Sequence, residues 1–395
     1  MKILYLVLGA PAEGVRKKIR DKATFLRKAE GDISVVIVQN ERDPFDPEDG
    51  NGLLKVDLSA ASYFAKFWLF WRLSIILEQR KIYRTLYQYL QGKDFDVILM
   101  RYPVADYFLF TFMKRLGRKY KIVFEHNTLE TEELRLRSTD SFWYKYFLWN
   151  ETWFGKKVRL QSSGMIGVTH EICKRQEAIV NKSIPTLNIC NGIDVARVKG
   201  RRQNSAPAKE LNLLFLAGSI APWHGVDILL NTLKAYTGPV HVHCYIAGEI
   251  DKSLEMDARK MSNVTLLKNQ SNADLDVLVD KCHIGVGSLA LFRNNMIEAC
   301  TLKVREYWAR GLPFVIGYDD TDLIGNFRMR PFYRKIGIIE SEASPAFDLS
   351  SVVLFASEVF AIKDFSDTMR SLAHEYISYP AKANVYMNFF KSLSR

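Results

Sequence analysis

The chain has 395 residues, 48% hydrophobic and 25% charged, with 22 Gly, 12 Pro and a net charge of +11. That length and balance supply about two globular domains and exclude disordered, collagen-like and disulfide-stapled small-protein classes. The charge is uneven: residues 1–200 hold 33 basic against 23 acidic side chains, a surplus that predicts an anionic partner such as a phosphate-bearing ligand or an anionic membrane surface.

Along the chain, short apolar β-branched runs recur ahead of longer amphipathic segments, at residues 2–8, 34–38, 97–100, 121–124 and 164–168, then at 212–216, 241–247, 284–288 and 313–316. Apolar runs without in-out alternation predict strands buried on both faces, hence an α/β chain with parallel sheets. The polar stretch 198–211, with Gly200, Pro207 and a basic cluster, divides the series and is the predicted linker. The expectation is two doubly wound Rossmann-like domains, 1–198 and 208–375, with a ligand cleft between the carboxyl edges of their sheets. An aromatic helix near 380–395 is expected to pack on one of them, with the first domain a candidate.

Five scattered cysteines with no C-x-x-C spacing predict a reducing compartment. Residues 64–77 form the longest apolar run, but Lys66 and Arg72 interrupt it and it falls short of the ~20 residues a membrane span needs. The predicted location is cytoplasmic, with a peripheral position on the inner face of the plasma membrane open. Residues 64–89 and 142–153 interleave Trp, Tyr and Phe with Lys and Arg, which suits a membrane interface and equally a helix whose aromatics are core. No helix-turn-helix or RNA-binding signature accompanies them, so no nucleic acid is expected.

The most informative stretch is 288–318, in which Glu298 and Glu306 stand eight apart. Two such glutamates alone are commonly surface charge; the frame of strand, loop, Glu, helix, A-R-G-L-P and strand gives them weight. Thr301 is the predicted N-cap of a helix over about 302–310, stopped by Gly311 and Pro313, whose unpaired N–H groups make a ready phosphate site. Glu306, about one turn in, can accept two hydrogen bonds from a ribose diol, and Glu298 lies on the preceding loop, nearer a reacting sugar. Asp320, Thr321 and Asp322 form a D-x-D, but it follows this segment instead of ending an early strand, so no metal is expected there. His241 and His243 share a strand face without a third ligand at metal-site spacing and read as structural. Dinucleotide and P-loop glycine signatures are absent.

The segment resembles the E-x7-E donor signature of retaining glycosyltransferases of the GT-B fold, family 4-like, with Glu306 to Pro313 (EYWARGLP) in its second half. In the same order, 213–230 (LLFLAGSIAPWHGVDILL) resembles the strand, glycine loop and helix that open the nucleotide-sugar domain. YIAG at 245–248 resembles the next strand and turn, NGID at 191–194 the segment before the linker, and FEHN at 124–127 the strand end bearing an acceptor-site histidine. The resemblance spans nearly the whole chain. It implies transfer of a sugar, with retention, from a nucleotide-sugar donor to a glycan or lipid-linked glycan in surface polysaccharide assembly, without cofactor or metal. His126 and Glu298 are the implied catalytic residues; Gly14, Ser219, His224, Arg293, Leu302, Lys303 and Glu306 are the implied donor contacts. The family usually places an Arg and a Lys on the donor diphosphate where Ser219 and His224 stand here. Either Arg293, Lys303 and Arg305 supply the missing charge or His224 donates a hydrogen bond in its place; W-H-G at 223–225 with L-K-x-R-E-Y at 302–307 is similar to a subset of bacterial surface-polysaccharide transferases. The alternative is a catalytically inactive partner subunit of the same fold.

Overall fold

The computed structural model describes residues 1–9, 13–29, 31–40, 52–56, 71–138, 142–202, 209–268, 270–339 and 345–393. The chain divides into two units: Met1–Ile189 with Ala383–Arg395, and Cys190–Lys382.

The first unit runs β1 (Lys2–Leu8), α1 (Glu13–Lys28), β2 (Asp32–Asn40), β3 (Gly52–Val56), α2 (Trp71–Leu90), β4 (Val97–Arg101), α3 (Tyr107–Leu116), β5 (Lys121–His126), α4 (Glu130–Ser138), α5 (Phe142–Arg159), β6 (Gly164–Gly167), α6 (His170–Val180) and β7 (Thr186–Asn188). Its strands form one parallel sheet in the order β3-β2-β1-β4-β5-β6-β7. Alternate side chains of each strand enter two different cores, which is why the runs are apolar throughout. Leu4, Leu6, Ile98, Met100, Ile122 and Phe124 pack with Leu86, Leu109 and Phe112 of α2 and α3. Ile3, Tyr5, Val7, Leu99 and Val123 pack on the other face with Ile19, Ala23 and Leu26 of α1 and with Tyr386, Met387 and Phe390 near the C-terminus. Each fully buried Leu, Ile, Val, Met or Phe among them contributes about 1.5–3 kcal/mol.

The second unit runs β8 (Glu210–Ser219), α7 (Val226–Ala235), β9 (His241–Glu249), α8 (Lys252–Arg259), β10 (Val264–Leu267), α9 (Asn272–Lys281), β11 (Ile284–Val286), β12 (Glu298–Ala299), α10 (Leu302–Arg310), β13 (Phe314–Ile316), β14 (Asp319–Asp320), β15 (Tyr333–Lys335), α11 (Leu349–Phe360) and α12 (Phe365–Tyr376); α13 (Tyr379–Leu393) then carries the chain into the first unit. Its main sheet is parallel in the order β10-β9-β8-β11-β13-β15. In each unit the strand order reverses once, between β1 and β4 and between β8 and β11, and the crevice at such a reversal is where open parallel sheets bind ligands.

The division falls at Ile189, earlier than the predicted 198, because residues after it are held by the second unit. Ile193 bridges to Ser378, the Arg201 N–H donates to the Arg310 carbonyl at 2.9 Å, and the Arg202 N–H donates to Asp280 at 2.7 Å. Residues 203–208 of the predicted linker and residues 64–70 of the aromatic run lie outside the described residues. Among the described residues no helix is long and apolar enough to cross a membrane.

Candidate active site

The reversal in the second unit brings two loops together. After β8, a single 3-10 turn at Pro222–His224 leads through Gly225 into α7; after β11, a 3-10 turn at Leu291–Asn294 leads through β12 into α10. The Leu289 and Ala290 N–H groups donate to the His224 and Trp223 carbonyls at 3.0 and 3.2 Å, so the loops are stitched to each other. Gly225 is required here: its φ is +70°, and a Cβ would lie 2.8 Å from that of Leu289. At the end of β8 the ladder carries a bulge before Ser219, and the neighbouring strand β9 supplies Gly248 at φ +146°, where a Cβ would meet the Ala217 carbonyl.

Helix α10 is anchored from within. Tyr307 donates its hydroxyl to the Leu214 and Val286 carbonyls of β8 and β11, and the Trp308 indole donates to the Met369 carbonyl at 3.0 Å. Thr301 is the N-cap residue as expected, but its hydroxyl is bonded to that of Tyr318 at 2.8 Å and caps no helix N–H. The first turn, starting at Leu302, therefore lacks a side-chain cap and keeps the anion-binding character of a helix N-terminus.

Lys303, in that first turn, is 9% exposed and its ammonium makes no hydrogen bond; it stands 3.9 Å from the centroid of the Phe215 ring. Burial pushes its pKa down to about 7. His224 is neutral, because burial and then the Lys303 charge push it down to about 2. Its Nδ1 accepts the Ala221 N–H at 2.9 Å, which leaves the ring proton on Nε2 as a hydrogen-bond donor. Glu298 accepts from the Thr321 hydroxyl at 3.3 Å, and Glu306 accepts from Arg310 at 2.9–3.0 Å, so the carboxylate expected on a ribose is shared with an arginine.

Two expected phosphate cations are committed elsewhere. Arg293 forms a bidentate pair with Asp227 at 2.8 and 2.6 Å and donates to the Pro222 carbonyl, so its charge is offset and it braces the loop. Arg305 is fully buried and donates to Asp320 at 2.6 Å and to the Cys300 sulfur at 3.0 Å, with Asp322 at 3.3 Å. Lys382 takes the other side of Asp322 at 2.9 Å, so the D-x-D is filled by protein cations. Among the described residues, Cys190, Cys300 and Asp322 are the group whose ligand atoms converge, within 4.8 Å of one another. Gly14, an implied donor contact, lies in the first turn of α1 and is exposed.

In the first unit, His126 ends β5 next to β4 and is enclosed, at 0% exposure. Its Nδ1 bonds to Glu130 at 2.8 Å; Glu130 in turn accepts from Gln176 at 2.9 Å and from Arg159 at 3.4 Å. Arg159 also donates to Glu151 and to the Tyr102 hydroxyl, both at 2.7 Å, and the Tyr102 ring lies 4.4 Å from the imidazole. His126 Nε2 and the neighbouring Asn127 Nδ2 are buried without a hydrogen-bond partner. A second buried cluster precedes them: Glu125 pairs with Lys22 and Lys18 and accepts from Tyr5 at 2.6 Å. Burial would push Glu125 up, but the two ammonium groups outweigh it and hold the carboxyl well below its usual range. The sequence reading missed Glu130, although its i,i+4 spacing from His126 was visible; Arg159, Gln176 and Phe215 carry no local signal.

No family model matches the chain and no curated protein matches it. In structure it is similar to sucrose-phosphate synthase from Thermosynechococcus elongatus, with TM-score 0.68, 13% identity and coverage of 100% of this chain and 99% of that one. It is similar also to the lipopolysaccharide outer core galactosyltransferase WaaB (TM-score 0.62, 13% identity, 99% of each chain), and to Anabaena HepE in complex with UDP and glucose (TM-score 0.59, 11% identity, 99% of this chain and 100% of that one). The likeness runs the full length on both sides, and the fold is α/β of the GT-B type.

Proposed function

We propose that the protein is a retaining, family 4-like glycosyltransferase, moving a sugar from a nucleoside-diphosphate donor to a glycan or lipid-linked glycan acceptor in surface polysaccharide assembly, without a metal. The observation that carries this is Lys303: a buried ammonium without a hydrogen bond, in the uncapped first turn of α10, at the strand-order reversal of the second unit. Burying a cation unpaired is costly, and an arriving diphosphate removes that cost. As the bond between the anomeric carbon and the diphosphate oxygen breaks, negative charge collects on the diphosphate, where Lys303, the α10 N–H groups and the His224 Nε2–H stabilise it. The leaving diphosphate takes the acceptor hydroxyl's proton as that oxygen bonds to the anomeric carbon on the same face. Glu298 holds sugar hydroxyls, Glu306 the ribose, and His126 Nε2 an acceptor hydroxyl once its enclosure opens.

The acceptor reading includes a membrane. On α5, Phe142, Lys145, Trp149, Trp153, Lys156 and Lys157 form one exposed stripe, with Phe142, Trp149 and Trp153 each more than half exposed. Aromatic rings interleaved with ammonium groups match the headgroup region of an anionic bilayer. The second reading, a non-catalytic partner subunit, is favoured by neutral His224 and by Ser219, which leave one cation where two are usual. The deciding experiment incubates purified protein with a panel of nucleotide sugars and follows melting temperature and release of nucleoside diphosphate. Stabilisation with turnover supports transfer; stabilisation without turnover, with or without acceptor, supports the partner subunit.

A further inference from the structure

Cys190 and Cys300 form a pair that the donor site does not use. Both are buried, and their sulfurs lie within 4.8 Å of each other and of an Asp322 oxygen. Cys300 Sγ accepts the Asn191 N–H at 2.8 Å and an Arg305 N–H at 3.0 Å. A sulfur that collects a backbone donor and a guanidinium is built to carry negative charge, and a thiolate is the reactive form of cysteine. The cations that balance the cluster, Arg305 and Lys382, already sit on Asp320 and Asp322, so a metal ion would have to displace a guanidinium; two adjacent thiols have no such obstacle.

We propose that Cys190 and Cys300 are a redox pair, oxidised to a disulfide by hydrogen peroxide. The Cys300 thiolate attacks one peroxide oxygen and breaks the O–O bond, giving a sulfenic acid and hydroxide, which takes up the proton that the Cys300 thiol released. The Cys190 thiol then condenses with the sulfenic acid, forming the S–S bond and releasing water. The two sulfurs lose two electrons in all, and one peroxide becomes two waters. The acidities agree with these roles. Burial would raise Cys300, but the hydrogen bond from Cys190 and the Arg305 charge hold it below the usual thiol range, and that same hydrogen bond pushes Cys190 up. At Cys173 and Cys282 burial outweighs the nearby donors and charges and pushes the thiols up to about 11 and about 12.

The position of the pair gives the bond a consequence. Cys300 lies between Glu298 and the Thr301 N-cap of α10, and a disulfide holds its sulfurs at ~2.05 Å, so oxidation pulls on the corner that carries the carboxylate and the helix start. This effect on donor binding rests on the transfer reading; the bond itself does not. The test treats the full chain with hydrogen peroxide, alkylates remaining thiols and maps peptides by mass. The expected result is a 190–300 crosslink that dithiothreitol reverses, with Cys173, Cys244 and Cys282 still alkylated. Cys190→Ser should leave a dimedone-reactive sulfenic acid at Cys300, and Cys300→Ser should leave none. In the oxidised protein, the concentration of nucleotide sugar needed for half-maximal thermal stabilisation should rise at least tenfold. Absence of the crosslink at peroxide levels that oxidise free cysteine overturns the proposal, as does stoichiometric zinc(II) that survives dialysis and protects both thiols. A crosslink in protein that binds no nucleotide sugar when reduced overturns the transfer reading alone.

Discussion

On its proposed donor-binding role, Lys303 should tie stability and ligand binding to pH in opposite senses. An exposed lysine ionises near 10.5, and burial brings this one to about 7; at roughly 1.4 kcal/mol per pKa unit, charging the buried side chain costs ~5 kcal/mol of stability. Between those two values the unfolded chain holds the proton and the folded chain does not, so stability without ligand rises with pH across the window and the full cost is felt below pH 7. Lys303→Met removes the charge and keeps the stem over Phe215, and should stabilise the protein by about 1–4 kcal/mol at pH 6, with little gain near pH 10. Donor binding should run the other way, because a diphosphate held by Lys303 needs the ammonium. The protonated fraction falls about fiftyfold from pH 7 to pH 9, and affinity for a nucleoside diphosphate should fall with it. Isothermal titration at pH 6–9, in two buffers of different ionisation enthalpy, reads both the affinity and the proton taken up on binding. Lys303→Met should abolish the uptake, and Lys303→Ala should lower turnover roughly ten- to a thousandfold. Constant affinity from pH 6.5 to 9, or unchanged binding by Lys303→Met, refutes the assignment.

The remaining predictions concern three other places. Glu306→Gln should raise the donor KM with modest loss of kcat, since a ribose contact is the same in ground and transition states, whereas Glu298→Gln should lower kcat; steady-state kinetics giving the reverse would exchange their roles. His126→Ala should reduce transfer far more than donor binding, and a fall in donor affinity with transfer per bound donor unchanged would remove it from the acceptor side. Binding to anionic vesicles should weaken with salt and fall at least severalfold in a Trp149→Ser, Trp153→Ser double variant; equal binding to neutral vesicles would refute the electrostatic part.

The sequence pattern located nine strands, and all nine are interior: β1, β2, β4, β5 and β6 in one sheet, and β8, β9, β11 and β13 in the other. In these two main sheets the four strands it missed, β3, β7, β10 and β15, are the four edges. An interior strand between two helical layers must be apolar on both faces, which writes an unbroken run into the chain. An edge strand such as Thr186–Asn188 or Tyr333–Lys335, half-buried or less, needs only to hydrogen-bond on one side, and almost any short segment can do that. The domain division was misplaced for a related reason: composition shows where the chain is polar, while 190–202 belongs to the second unit through backbone bonds to Arg310 and a carboxylate at Asp280.

At the candidate site, the sequence could not count the available charge. Three cations near the E-x7-E segment looked interchangeable, yet Arg293 is matched by Asp227, 66 residues earlier, and Arg305 by Asp320 and Asp322 beyond β13. Only distance in space decides which charge is spent. Of the three, Lys303 alone meets a ring and no carboxylate, and the histidine beside it is neutral. A diphosphate bound here would meet one full positive charge and the partial charge of a helix end, where two cations are usual. Its binding must then lean on the α10 N–H groups, which do not titrate, and on a lysine that does. That division is why the pH dependence of donor binding is the sharpest available measure of how this chain uses its fold.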